Sequence, residues 1–198
     1  MVNGQWSMVN GQWSMVNGQR SMIIVITLPE FFEGEAERIT QFLEGNVDLI
    51  HIRKPGAKRE QVEELLLKIP SKLRNRLILH DHFELALQYG LHGIHLNSRN
   101  RIVPKGWKGA VSRSCHSIAE LAECKKESYD YISLSPIFDS ISKEGYKSAF
   151  TREQLEEARQ KGIIDRRVVA LGGVTFEKIG LITEMGFGGA MILGDAWK

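Results

Sequence analysis

The sequence predicts an α/β fold, a short TIM (β/α)8 barrel with a reduced fourth helix and a missing final helix. Eight short apolar runs alternate with helical patterns along the chain. The runs are almost continuously apolar, as is typical of parallel strands that helices cover on both faces. The turn after the first run, at 29–32, has no glycine cluster. This favours a closed barrel over an open doubly wound sheet, whose first turn is usually rich in glycine.

The strands and helices follow from the pattern of apolar residues. Runs rich in β-branched residues predict strands at 23–28, 47–52, 77–80, 93–96, 110–112, 129–134, 167–171 and 189–193. Apolar residues at helical spacing predict helices at 34–43, 59–69, 83–89, 118–125, 152–161 and 176–185. Helices supply the crossover connections that parallel neighbours need.

The first 21 residues repeat a seven-residue unit and do not fit this pattern. MVNGQWS at 1–7 recurs at 8–14 and, with one change, at 15–21. Each unit contains an Asn-Gly turn signal, which argues against a coiled coil. We interpret 1–21 as a repeated leader or tag outside the fold, the alternative being a binding arm that displays Trp6 and Trp13. Residues 22–198 then form a single barrel domain.

That domain is short, since TIM barrels have about 200 residues at their lower limit. The polar segment 97–108 leaves little room for a fourth helix, and the sequence reaches Lys198 soon after the eighth strand. We therefore expect an apolar flank between the eighth and first strands. A partner subunit, the leader or nothing at all would cover it.

Composition excludes several classes of protein. The chain has 198 residues, is 42% hydrophobic and carries a net charge of +2. It has no apolar run of membrane-spanning length, no export signal and no strong basic excess. Its two cysteines, Cys115 and Cys124, do not make a disulfide framework. We expect a cytoplasmic protein that binds neither a membrane nor nucleic acid.

Cationic residues and glycines follow several of the predicted strands. Arg53, Lys54 and Lys143 would meet at the carboxyl-terminal mouth of a barrel, where such groups bind phosphate oxygens. Gly172-Gly173 and Gly194 follow the seventh and eighth strands, whose loops form the standard phosphate site of this fold. The alternatives are solvated surface cations and plain tight turns.

Two further groups at strand ends have more than one interpretation. Asp81 fits either a Mg²⁺ ligand that shares the ion with substrate phosphates or the N-cap of the next helix. His51, His80, His82 and His95 lie close to strand ends, but their spacing does not match a usual zinc signature.

Five blocks of sequence resemble the thiamine phosphate synthase family and its close relative, the thiazole tautomerase. They are HIRKPGAK at 51–58, LILHDHFELALQYGLHGIHL at 77–96, VSRSCHSIAEL at 111–121, YDYISLSPIF at 129–138 and VVALGGVTFEKIGLITEMGFGGAMIL at 168–193. The resemblance implies a TIM barrel that joins an aminopyrimidine diphosphate to a thiazole phosphate and releases pyrophosphate with the help of Mg²⁺. Phosphorylated small molecules are then the ligands, and a homodimer is the oligomer implied.

The resemblance also implies the site residues. Catalytic groups on the diphosphate are Arg53, Lys54, Ser114 and Lys143. Substrate-binding residues are His51, His80, Ser140, Ser142, Gly172, Gly173, Leu193 and Gly194. The Mg²⁺ ligands are Asp81 and Asn100.

The chain departs from the synthase pattern at several of these positions. Asn100 stands where the family has a second acidic Mg²⁺ ligand, Pro55 where it usually has Lys, and His80 where it usually has an Asn that contacts the pyrimidine. An amide oxygen still ligates Mg²⁺, although without the charge. A thiazole phosphate isomerase with His51 as the proton-transfer group, and a non-catalytic binder of phosphorylated ligands, are the alternatives to a transferase.

Overall fold

The structure is a computed structural model that describes residues 21–139 and 148–198. Eight parallel strands form a closed barrel in the order of the sequence, and the eighth strand pairs with the first. The predicted barrel is therefore confirmed. The interpretation of 1–21 as a leader concerns residues that, apart from Ser21, lie outside the described part of the chain, and it stays a prediction.

Short strands and short helices alternate around the barrel. The strands are β1 (Met22–Ile26), β2 (Leu49–Ile52), β3 (Leu77–Leu79), β4 (Gly93–Leu96), β5 (Ala110–Cys115), β6 (Tyr131–Leu134), β7 (Val168–Leu171) and β8 (Gly189–Ile192). The helices are α1 (Glu35–Glu44), α2 (Arg59–Lys68), α3 (Phe83–Gln88), α4 (Ile118–Cys124), α5 (Arg152–Gln160) and α6 (Ile179–Glu184). Two 3-10 helices, Ser71–Arg76 and Phe176–Lys178, precede β3 and α6.

The structure differs from the predicted elements by about two residues at the ends of β1, β2 and β6, and further in three other places. β5 continues past Ser112 to Cys115, because its pairing with β6 extends that far. The predicted helix 176–185 divides into a 3-10 turn and α6. The 3-10 helix before β3 was not predicted, because its sequence has no periodic apolar residues. The Arg76 guanidinium at its end donates hydrogen bonds to the carbonyls of Leu43, Val47 and Asp48.

Apolar side chains pack in two places, and polar side chains occupy much of the barrel interior. One large cluster lies between the strands and the helices, and a smaller one inside the barrel contains Ile24, Ile78, Val169 and Met191. The inward positions of β2 to β6 also hold histidines, serines and Tyr131, which are all buried. The interior of the barrel is therefore partly apolar and partly polar.

The two predicted reductions of the barrel are both present in the described residues. No helix lies between β4 and β5, and turns follow β8 up to Lys198. Trp197 in these turns donates a hydrogen bond to the Ile26 carbonyl and packs edge-on against Phe32 and Phe42. It covers part of the seam between β8 and β1, a covering that the sequence did not predict.

A groove remains beside the part of the seam that Trp197 covers. Its volume is about 290 Å³, and Ile23, Phe42, Val47 and Phe176 line it. Across the described residues, no helix is both long enough and apolar enough to span a membrane.

Candidate active site

A cavity of about 620 Å³ opens where the strands of the barrel end. Several predicted site residues line it: Arg53, His80, Ser114, Gly172, Gly173, Leu193 and Gly194. His51 lies deeper in the barrel and is fully buried. The predictions for Ser140, Ser142 and Lys143 concern residues outside the described parts of the chain.

Arg53 is the cation that the structure leaves free for a ligand. It follows β2, is half-buried, and its guanidinium has no hydrogen bond or ion pair within the described residues. Its backbone is fixed by two hydrogen bonds with the Thr27 hydroxyl on the chain after β1. Burial and the neighbouring Arg99 lower the pKa of Arg53, yet a guanidinium remains charged in a protein. The cavity therefore contains an unneutralised positive charge.

Lys54, by contrast, does not reach the cavity, which corrects the prediction that it joins Arg53 there. Its side chain points between β2 and α1, where its ammonium contacts Glu35 at 2.6 Å and donates to the Leu28 and Glu30 carbonyls. It also lies over the Phe31 ring. Successive residues of an extended chain point to opposite sides, so Arg53 and Lys54 face different environments.

The glycines after β7 and β8 form a closely packed backbone wall. Gly172 and Gly173 have positive φ angles of 90° and 63°. A Cβ on Gly172 would lie 2.7 Å from the Pro136 Cα, and one on Gly173 would lie 2.2 Å from the Asp139 carbonyl oxygen. Among the described residues, the amide groups of Gly172, Gly173 and Gly194 find no acceptor. Such amide groups suit an anion.

Asp81 and Asn100 meet next to His80 and Arg99, which line the cavity, but neither Asp81 nor Asn100 lines it. The Asn100 amide donates to the Asp81 carboxylate at 2.7 Å and to the His80 carbonyl at 2.9 Å. Arg99 also pairs with the Asp81 carboxylate at 3.2 Å. The alternative role of Asp81 as a helix N-cap is wrong, because His82 occupies the cap position of α3.

Three histidines form the polar half of the barrel interior. His51 Nδ1 lies 2.9 Å from His80 Nε2, and His51 Nε2 lies 2.5 Å from the Tyr131 hydroxyl. His95 contacts two hydroxyls, with Nδ1 at 2.8 Å from Ser112 and Nε2 at 2.7 Å from Ser114. His80, His95 and Ser114 line the cavity, so this network extends from the core to the site.

Burial keeps these histidines neutral. Desolvation lowers the pKa of His51 and His80 well below the usual range, and the proximity of His95 lowers both further. Desolvation, followed by the charge of Arg53, lowers the pKa of His95 to about 3. Each ring therefore has one N–H group and one acceptor nitrogen at neutral pH.

The same histidines are poorly oriented to bind a metal ion together. One nitrogen from each of the three lies within 4.8 Å of the others. However, the His80 and His95 rings are stacked, with centroids 4.3 Å apart and planes at 29°. Ligand lone pairs lie in the ring planes, so two stacked rings do not aim at one ion. This agrees with the absence of a zinc signature in the sequence.

Sequence reasoning missed several residues that complete the site. Arg99 and Arg101 line the cavity, and Ser112 and Tyr131 support its histidines. Ser112 and Ser114 alternate on β5, and polar residues at alternate positions of a barrel strand were a usable signal for an inward polar face. Arg99 and Arg101 follow β4 in a loop, as Arg53 follows β2, so their position after a predicted strand was also a usable signal.

The family model described as thiamine monophosphate synthase matches residues 23–194. The chain belongs to this family. A thiamine-phosphate synthase of Halalkalibacterium halodurans is 30% identical over 150 residues, which cover 72% of this chain and 70% of that protein. One from Syntrophomonas wolfei is 27% identical over 165 residues, covering 79% of this chain and 78% of the relative.

Solved structures agree with the family assignment. A thiamine phosphate pyrophosphorylase from Bacteroides thetaiotaomicron superposes with a TM-score of 0.80 and 42% identity. The match covers 89% of this chain and 84% of the pyrophosphorylase chain. The pyrophosphorylase from Pyrococcus furiosus has a TM-score of 0.70 at 20% identity, covers 88% of this chain and 89% of its own, and supports the fold alone. These synthase relatives favour a transferase of thiamine biosynthesis over the isomerase and the non-catalytic binder.

Replacement of Lys54 tests its structural role. We expect Lys54→Met to lower the free energy of unfolding by about 3–5 kcal/mol, because it leaves the Glu35 carboxylate buried without its partner. The double variant Lys54→Met/Glu35→Leu should recover much of that loss. Urea unfolding measures stability, and calorimetry with pyrophosphate measures anion binding, which should be unchanged. A tenfold weaker affinity for pyrophosphate in the folded variant would show that Lys54 belongs to the anion site after all.

The buried histidines predict loss of stability in acid. Below about pH 6.5 the histidines of the unfolded chain take up protons, whereas the buried histidines of the folded barrel stay neutral. The free energy of unfolding therefore falls as the pH decreases. His51 and His95 should each contribute about 1.4 kcal/mol per pH unit, and for His95 the loss should continue to about pH 3. Urea unfolding at several pH values checks this. The variant His95→Gln should show a shallower pH dependence, and an unchanged dependence would contradict the prediction.

Proposed function

We propose that this protein is a thiamine phosphate synthase, a transferase that joins an aminopyrimidine diphosphate to a thiazole phosphate and releases pyrophosphate. The observation that supports it best is the Arg53 guanidinium, which has no partner among the described residues. It shares the cavity with the backbone amides of Gly172, Gly173 and Gly194, which find no acceptor in that part of the chain either. A cation and a set of amide donors on one cavity suit two phosphorylated substrates.

The residues of the cavity suit a reaction with an anionic leaving group. As the bond between the pyrimidine methylene carbon and the diphosphate oxygen breaks, negative charge develops on the diphosphate. Arg53 and the Ser114 hydroxyl, which line the cavity, would stabilise that charge without having to reorganise. The thiazole nitrogen then forms the new bond to the methylene carbon. We assign the glycine amides to the thiazole phosphate, so that both reactants are held in one cavity.

Asp81 and Asn100 fit a Mg²⁺ ion that depends on the substrate for most of its ligands. Proteins often hold Mg²⁺ by one or two carboxylates together with phosphate oxygens and waters. Asp81 supplies one carboxylate, and the Asn100 side chain lies beside it. When bound there, Mg²⁺ would neutralise charge on the diphosphate. Because Arg99 already pairs with Asp81, we expect the ion to bind weakly without diphosphate.

The proposed setting is the cytoplasm. Cys115 and Cys124 are both free and buried, which is compatible with a reducing compartment.

An assay of thiamine phosphate formation with both substrates and Mg²⁺ tests the reaction. We expect Arg53→Met to lower kcat/KM about 10²-fold, because it removes one charged donor from the leaving group. Arg53→Lys should recover part of that loss as a point charge. Arg166, exposed at the amino-terminal end of β7, offers a matched control whose Arg166→Met variant should keep normal activity. Tight binding of thiazole phosphate with no product at high enzyme concentration would contradict the proposed function.

Restoring a carboxylate at position 100 tests the assignment of the Mg²⁺ ligands. We expect Asn100→Asp to reduce the Mg²⁺ concentration for half-maximal activity about tenfold, because a second negative charge then faces the ion. Ser98→Asp places the same charge elsewhere on the same loop and controls for a general electrostatic effect. Equal Mg²⁺ requirements in the wild type and Asn100→Asp would show that position 100 does not face the ion.

A further inference from the structure

The ring of His80 presents one nitrogen to the cavity. Its Nε2 contacts His51, whereas its Nδ1 has no partner among the described residues. In that part of the chain, Ser133 Oγ is the one fully buried side-chain oxygen or nitrogen without a partner, so His80 Nδ1 is open to the cavity that His80 lines. The amides of Asn97 and Asn100 donate to the His80 carbonyl and fix the backbone at this position. A ligand in the cavity can therefore reach this nitrogen.

Tyr131 determines whether that nitrogen has a proton. Tyr131 is buried, and burial raises its pKa, so the hydroxyl keeps its proton at neutral pH. Across the described residues its one hydrogen-bond partner is His51 Nε2, at 2.5 Å. Ser112, its neighbour on β5, contacts His95 and the Ile94 carbonyl instead. A buried hydroxyl proton without an acceptor costs free energy, so Tyr131 donates to His51 Nε2.

The proton positions on both imidazole rings follow from this donor. A neutral imidazole has one N–H group. Because His51 Nε2 accepts from Tyr131, the proton of His51 is on Nδ1, which donates to His80 Nε2 at 2.9 Å. The proton of His80 is then on Nδ1, where it faces the cavity. The reverse direction would leave the Tyr131 proton buried without an acceptor, which should make that arrangement at least about tenfold rarer.

The cavity contains surface for an uncharged ring as well as for phosphate groups. Ile26 and Met191 line the same cavity and belong to the apolar cluster inside the barrel. The His80 ring stacks on His95, with centroids 4.3 Å apart. Arg53 and the glycine amides offer an anion stronger partners elsewhere on the cavity wall. A flat heteroaromatic ring is thus the ligand group that suits the His80 N–H group.

We propose that His80 is a specificity-determining residue: its Nδ1–H group donates to the ligand, so the cavity selects a heteroaromatic ring that presents an unprotonated nitrogen. In an aminopyrimidine diphosphate, this assigns a ring nitrogen, rather than the amino group, to His80. His51 and Tyr131 are positioning residues, because they fix the His80 proton from inside the barrel. The identity of the ring rests on the proposed function, whereas the position of the proton rests on the hydrogen bonds alone.

The position of the proton on each imidazole tests the hydrogen-bond direction. Long-range proton–nitrogen NMR spectra of protein labelled with ¹⁵N-histidine measure it without any ligand. The chain has six histidines, which single His→Gln variants assign. We expect His51 and His80 both to be protonated on Nδ1 at neutral pH. A proton on Nε2 of either ring would overturn the proposal.

Replacement of Tyr131 by Phe tests whether its hydroxyl sets this direction. Tyr131→Phe removes the donor and preserves the ring, so we expect His51 and His80 each to show a mixture of the two proton positions. Tyr89→Phe is the matched control, since the Tyr89 hydroxyl donates to Glu63 on helix α2, outside the barrel. It should leave both protons on Nδ1. An unchanged Nδ1 proton on His51 in Tyr131→Phe would overturn the positioning role of the tyrosine.

Dissociation constants of ring analogues test the selection itself. The aminopyrimidine diphosphate is compared with two analogues, each with a C–H group in place of one ring nitrogen. One of the two should bind the wild type about 10- to 100-fold more weakly, because it leaves the His80 N–H group without an acceptor. In His80→Phe, which has no N–H group there, the same analogue should bind within about threefold of the parent compound.

Two outcomes separate this inference from the proposed function. Equal binding of the parent compound and both analogues to the wild type would overturn the selection by His80. A wild type that binds none of the three diphosphates would contradict the proposed function, and the NMR spectra would still decide the proton positions of His51 and His80.

Discussion

The closed barrel imposes one constraint on which the site depends: every second side chain of each strand points into a space without water. In this chain the inward positions of β2 to β6 include His51, His80, His95 and Tyr131. A buried polar group without a hydrogen bond costs free energy, so His51 bonds with His80 and Tyr131, and His95 bonds with two serines of β5. These hydrogen bonds fix the rings, and the rings of His80 and His95 line the cavity.

The same alternation separates two adjacent cations. Arg53 points into the cavity and has no partner in the part of the chain that the structure describes, whereas Lys54 points outward and is held by Glu35 and two carbonyls. One therefore provides charge for a ligand, and the other fixes the start of α1 to the end of β2. Both are basic and close to a predicted strand end, so residue type and approximate position did not distinguish them.

The charges in and beside the cavity differ from those of a metal site made only of carboxylates. Asp81 is paired with Arg99 and accepts from Asn100, while Arg53 is unpaired across residues 21–139 and 148–198. The charges around the cavity therefore favour the binding of an anion over the binding of a free cation. A diphosphate would balance this charge and would bring additional ligands for Mg²⁺, which makes anion binding the step on which the remaining interactions depend.

The sequence by itself determined the order of eight strands, the lack of room for a full helix between β4 and β5, and the family. Apolar periodicity and the glycine and histidine blocks are local features, so they can be recognised without the fold. It also identified Arg53, Asp81 and the glycine pair as residues at strand ends. Only the tertiary structure decided that Lys54 leaves the site and that Trp197 packs at the β8–β1 seam. It also decided which buried groups the histidines meet: His51 contacts His80 and Tyr131, and His95 contacts two serines. Those outcomes depend on which way a side chain points and on which distant residue it meets, and barrel closure sets both.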